Sequence, residues 1–177
     1  MTENSLQTFA TAMSTSWGPL ASELVASARH HLARLLDATA TEPWRAALDG
    51  KAPESVELYR DPVHGFLLLS HTEQTGLYRP PHDHGRGWVV YAVERGDMEM
   101  TTYRQVHDLR GNSYLVRRES FVLRSGDLRV FLPGDIHDTR CTAGPLRLLR
   151  LTSRDFKKED VTRYPAPNAA IHEQAPS

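Results

Sequence analysis

From Val56 onward the chain is a series of short β-prone runs, each stopped by Gly, Pro or Asp, and this punctuation constrains its fold most. "VELYR" (56–60) and "GFLLLSHT" (65–72) flank the turn "DPVHG". "GWVVYAVERGDMEMTTYRQV" (87–106) reads as two strands joined at "RGD". "SYLVRRESFVLRSGD" (113–127), "LRVFLPGDIHDT" (128–139) and "PLRLLRLTS" (145–153) continue the series. Runs of this length and spacing predict an antiparallel β-sandwich or small barrel.

The residues before Pro53 follow another period. Leu20, Leu24, Ala28, His31, Leu32, Leu35 and Leu36 recur at helical spacing, predicting a helix over 18–40 with Pro19 in its first turn and Glu23 near its positive end. A short helix over 43–48, ended by "DG" at 49–50, follows. The tail after Phe156 is polar and rich in Pro and Ala, and reads as a loosely packed arm. The expected organisation is a single domain: a helical segment (1–53) packed on a β-barrel (54–156), with an arm (157–177).

Composition excludes several functions. With 21 Lys+Arg against 22 Asp+Glu there is no basic footprint for nucleic acid. The longest apolar runs, "FLLL" and "WVVYAV", fall far short of a membrane span of about twenty residues. The N-terminus has no basic segment leading into an apolar core, and Cys141 is the only cysteine, so a reducing, cytoplasmic setting is expected.

Among the 9 histidines, His82 and His84 in "PPHDHGRGW" stand out. Residues i and i+2 of an extended segment share a face, so the two imidazoles project together as half of a tetrahedral or octahedral metal site. His137 in "LPGDIHDT", near a strand start, is the third candidate. His64, His71 and His107 fit less well, and His30, His31 and His172 read as helix or tail residues. Three histidines suit zinc, nickel, copper or iron. Trp88 and Tyr91 read as pocket wall or core, and Cys141 as a small buried residue.

"PPHDHGRGWVVYAVERG" followed by "LRSGDLRVFLPGDIHDT" resembles the two motifs of the cupin superfamily, and within it the thiol dioxygenases, cysteine dioxygenase and 3-mercaptopropionate dioxygenase. The resemblance runs from about Leu58 to Ser153 and includes "LYRDP" at 58–62. It implies a mainly β, cupin-type jelly roll with N-terminal α-helices, and Fe(2+) held by His82, His84 and His137. Most metal-binding cupins carry a glutamate four or five residues after the second histidine; here those places are Trp88 and Val89, and the next acid is Glu94. Three neutral imidazoles leave a divalent ion its full charge, which draws a thiolate and lowers the pKa of its thiol.

Two departures from the family pattern carry meaning. The animal enzymes place a crosslinking Cys where this chain has Val89, as bacterial relatives also lack it. The family's Ser-x-His-x-Tyr pattern on the late strand is replaced by Leu148, Arg150 and Thr152. A guanidinium there would grip a carboxylate in a bidentate fork. The resemblance also implies Arg60 as a carboxylate anchor. Read from the residues alone, Arg60 is equally an exposed strand-end charge, and Arg150 the partner of an internal acid.

The expected protein is therefore a mononuclear iron dioxygenase whose partners are a small thiol or carboxylate substrate and O2, with pairing into a homodimer implied by the resemblance. The alternatives are a three-histidine cupin metalloenzyme acting on a non-thiol substrate (a C–C cleaving dioxygenase or a lyase) and a non-catalytic cupin that binds a small acid.

Overall fold

The computed structural model describes residues 4–49 and 54–165. The expected domain boundary near Pro53, the helix stop at Gly50, and His172 lie outside the described residues.

Two helices lead the chain: α1 (Ser5–Ser16) and α2 (Ser22–Leu36), followed by the single turn α3 (Pro43–Ala46). The expected long helix begins later than 18, because Ala21 is its N-cap and Pro19 stays outside. Helix α1 is an addition to the sequence reading. Its cap is Asn4, whose side chain accepts from the Gln7 amide at 2.9 Å, and it buries Phe9, Ala10 and Met13.

Among the described residues seven strands follow: β1 (Ser55–Arg60), β2 (Leu67–Glu73), β3 (Tyr78–His82), β4 (Val89–His107), β5 (Ser113–Leu123), β6 (Leu128–Phe131) and β7 (Ile136–Thr152). The expected pair of strands over 87–106 is one 19-residue strand, and 136–152 likewise runs as one strand of 17. These two long strands pair along their length, Val89 opposite Thr152 at one end and Tyr103 opposite Ile136 at the other. Register shifts between Val93 and Met98 interrupt the ladder midway. Gly96 sits in this bend with φ +80°, and a Cβ there would meet the Ala143 carbonyl oxygen at 2.5 Å. The "RGD" turn signal thus marks a bulge that bends a strand, and it does not end one.

The bend divides the sheet into two halves that fold over one another. One half has β1, β2, the last part of β7, the first part of β4, and β6; the other has β3, the first part of β7, the last part of β4, and β5. Val89, Tyr91, Val93, Met98, Met100, Leu146 and Leu148 fill the space between the halves. Val90, Ala92, Leu149 and Leu151 face the other way, onto Phe9, Met13, Leu24, Ala28 and Leu32 of the helices. Each buried leucine of this second layer stabilises the fold by roughly 1.5–3 kcal/mol. Trp17 stacks on Phe66 at 4.1 Å and on Trp88 at 5.4 Å, so Trp88 belongs to this helix-facing core. The result is the expected mainly β, antiparallel jelly roll with N-terminal helices.

Candidate metal centre and its cavity

His82 ends β3 and His137 is the second residue of β7, and the ladder sets these two directly opposite one another. His84 lies two residues beyond His82, past the end of the strand. The three rings converge with centroid separations of 4.7, 5.0 and 5.2 Å, and one nitrogen from each lies within 4.8 Å of the others. His84 is 1% exposed and His137 is fully buried.

Neutral rings at this site follow from burial. Desolvation, with the charge of Arg150 and the neighbouring imidazole behind it, pushes His84 down to about 2 and His137 well below its ordinary value. His82 is lowered by the same cause. The His82 Nδ1 stands 2.8 Å from the Pro80 carbonyl oxygen, which can only accept, so Nδ1 donates and Nε2 keeps its lone pair. Both His137 ring nitrogens and the His84 Nδ1 are buried without a hydrogen-bond partner. Each neutral ring has one lone-pair nitrogen, and such orphaned, convergent nitrogens fit a divalent metal ion. Phe131 stacks on His137 at 3.8 Å and Phe156 on His84 at 4.7 Å, walling two of the rings from water.

No carboxylate joins the three histidines among the described residues, and the nearby acids have other partners. Asp83 points away from the rings and accepts from the Thr162 amide at 3.0 Å and the Tyr164 hydroxyl at 2.9 Å. Asp138 accepts from Tyr78 at 3.0 Å and Tyr103 at 2.6 Å. Glu94 is held by Arg147 and Arg45.

A cavity of about 150 Å³ opens beside His82, lined also by His71, Glu73, Arg79, Tyr91 and Arg150. A larger groove of about 400 Å³ runs past Arg118, Glu119, Arg129 and Asp135 and reaches Phe131, but it touches none of the three histidines. The smaller space is the one that borders a histidine of the cluster.

Arg150 lies opposite Tyr91 and Leu69 in the ladders, on the inner face. Its guanidinium carbon sits 5.1 Å from the Phe156 ring centre and 5.7 Å from that of Tyr91. Its Nε is buried without a partner, and among the described residues the side chain has no hydrogen bond or ion pair. Arg60 is a correction. It lies at the end of the edge strand β1 with its side chain 43% exposed, and it does not line the cavity. Glu57 takes two of its five N–H donors, at 2.9 and 2.7 Å, and Asp155 a third at 3.1 Å, so the guanidinium is held by neighbouring carboxylates away from the cavity.

The structure adds His71 to the cavity. Burial, then the charge of Arg150, pushes it down to about 3, and its Nε2 has no partner. Alternation from Leu67 through Leu69 would have placed it on one face with Glu73, but three consecutive leucines hide which face is inward. The remaining histidines with described positions, His30, His31, His64 and His107, lie apart from the cavity. Cys141 is buried, its Sγ 3.7 Å from the Glu73 carbonyl oxygen. The described part of the arm, expected to be loosely packed, is instead laid against the H-x-H segment.

No family model and no curated protein matches the chain. Solved structures do. An L-ribose isomerase of Cellulomonas parahominis is 18% identical over 62% of this chain and 68% of its own, with a TM-score of 0.48. A conserved protein with a double-stranded β-helix domain from Klebsiella pneumoniae is 13% identical over 69% and 88%, with a TM-score of 0.46. The cupin domain of Schizosaccharomyces pombe Cnp3 is 11% identical over 59% of this chain and 62% of that one, with a TM-score of 0.45. Their activities are their own. Among the described residues, no helix is long and apolar enough to cross a membrane.

Proposed function

We propose that the chain is a mononuclear non-haem Fe(II) dioxygenase that converts a small mercapto-carboxylate and O2 into the sulfinate. One observation supports this above the others: an unpaired guanidinium, Arg150, shares a small cavity with a metal ligand in a site built from uncharged imidazoles alone. His82, His84 and His137 would hold the ion. Iron(II) there would supply a dicationic centre able to take a thiolate sulfur and O2 together, and both oxygen atoms end on sulfur, so no other co-reactant is needed.

The rest is done by the chain. Arg150 binds the substrate carboxylate in its fork, held at a fixed angle by the rings of Tyr91 and Phe156. Phe131 and Phe156 exclude water from the imidazoles. A cavity of about 150 Å³ limits the substrate to a few heavy atoms. His71, neutral at its lowered pKa, offers a further hydrogen-bonding group on the same wall.

A non-thiol substrate is the second reading, favoured by Leu148 and Thr152 standing where the thiol dioxygenases carry Ser and Tyr. One assay separates the two: load Fe(II) without oxygen, then admit O2 with a panel of mercapto acids, following oxygen uptake and sulfinate by mass spectrometry. Uptake matched one-for-one by sulfinate supports the proposal; no uptake with any thiol overturns it.

A further inference from the structure

Two of the three imidazoles lean on a segment that contributes no ligand. His84 lies beyond the end of β3, where no strand of the barrel pairs with it. What lies beside it is the chain after β7. Residues 160–164 run along 81–83: the Tyr164 amide donates to the Pro81 carbonyl at 2.8 Å, the Asp83 amide to the Thr162 carbonyl at 3.1 Å, and Arg163 bridges antiparallel to His82. The side chain of Asp83, 8% exposed, closes the clasp. Its Oδ1 accepts from the Thr162 amide at 3.0 Å and the Gly85 amide at 2.9 Å, and its Oδ2 from the Tyr164 hydroxyl at 2.9 Å. Below it Phe156 lies flat on the His84 ring, and a Cβ on Gly87 would come within 2.2 Å of Phe156.

We propose that Asp83 is a positioning residue that clasps the strap 156–164 against the H-x-H segment and thereby sets the affinity for the metal. The logic is strand alternation: with His82 and His84 facing the ion, the residue between them must face outward, and here it is anchored by three hydrogen bonds. His137, by contrast, is fixed by the ladder of β7 and needs no strap. Ligands held loosely bind metal weakly, because the ordering cost is then met at the moment of binding. This inference rests on the three-histidine metal centre and not on thiol chemistry.

The test is Co(II) binding to the full-length, metal-free protein, read by its visible spectrum and by competition with a chelator. Asp83→Ala should raise the Kd about 10- to 100-fold, the range for residues supporting metal ligands, and alter the Co(II) absorption bands. Tyr164→Phe, a milder change, should raise it less. Arg45→Ala, which loosens the Glu94 cluster on the helical side, controls for lost stability and should leave the Kd unchanged. A Kd within twofold of the parent in both Asp83→Ala and Tyr164→Phe, or equal weakening by Arg45→Ala, overturns the inference. Absence of Co(II) binding by the parent protein overturns the metal centre itself.

Discussion

Arg147 and Arg150 stand three residues apart on β7, and their surroundings could hardly differ more. Arg147 faces the helical side, 3% exposed. Glu94 receives its Nε and, at 2.8 Å, one terminal nitrogen; Asp49, just after α3, receives the other at 2.7 Å. Arg45 joins Glu94 from the helix end at 2.8 Å, so the cluster ties α3 to the barrel wall. Arg150 faces the cavity without an ion pair among the described residues; the carboxylate on the same wall, Glu73, is paired with Arg79. Desolvating a guanidinium costs several kcal/mol at the buried Arg147, and less at the half-buried Arg150. At Arg147 the fold itself offsets the cost. At Arg150 only the ring faces of Tyr91 and Phe156 do, and a bound anion would complete the offset under the proposed function.

The largest expected effect follows from that contrast. Arg147→Met leaves the Glu94 carboxylate buried with one cation fewer, and urea unfolding of the metal-free protein should show a loss of about 3–5 kcal/mol. Arg150→Met removes an unpaired charge and replaces it with an apolar chain of similar length. Its stability should stay within about 1 kcal/mol of the parent, or rise. Equal losses in the two variants would break the distinction between a structural arginine and a waiting one.

The same contrast explains what could be seen in the sequence. The β-runs and their Gly-rich stops were legible because strand periodicity is local, and so were the H-x-H pair and His137. Strand continuity was not. A glycine at φ +80° ends a hairpin in one chain and bulges a long strand in another, and only the partner strand decides which. Helix α1 was missed because Thr and Ser occupy its exposed faces and its apolar residues are few. The arginines were the hardest. "LYR" and "RLLRLT" show charges on strands, but whether a charge meets Glu57 and Asp155 or an empty cavity depends on residues far away in sequence. Glu94 is a further case: the sequence marks it only as the next acid after the H-x-H pair, and the fold makes it the anchor of Arg147. The strap, for its part, has a composition that looks unstructured until it is set against Asp83.

A middle-sized effect sharpens the comparison on the binding side. Arg150→Met should raise the KM for a mercapto-carboxylate about 10- to 100-fold, the worth of a hydrogen-bonded charge pair. A thiol of the same length without a carboxylate should be turned over equally by parent and variant, and Arg147 should be irrelevant to the difference. If the variant lost both substrates alike, Arg150 would be shaping the cavity rather than holding an anion.

The smallest effect separates the two regions by pH. On the Arg147 side the titrating group is Asp49, lowered by its hydrogen bond and charge contact with Arg147. Its contribution is present above the ordinary carboxylate value of 3.8 and is lost as pH falls below it, so it changes little between pH 7 and about pH 5. On the Arg150 side stand imidazoles whose folded values lie below 6.5, His71 at about 3. Between those two values the unfolded chain binds a proton that the folded chain refuses, so unfolding is favoured as pH falls through 6.5 towards 3. The metal-free protein should therefore melt at a lower temperature near pH 5 than at pH 7. His71→Gln removes one of the groups responsible and should narrow that gap without closing it, because His84 and His137 remain. An unchanged gap would mean that His71 is protonated in the folded protein, with an anion beside it, and the cavity would then be less hungry for a carboxylate than its unpaired arginine suggests.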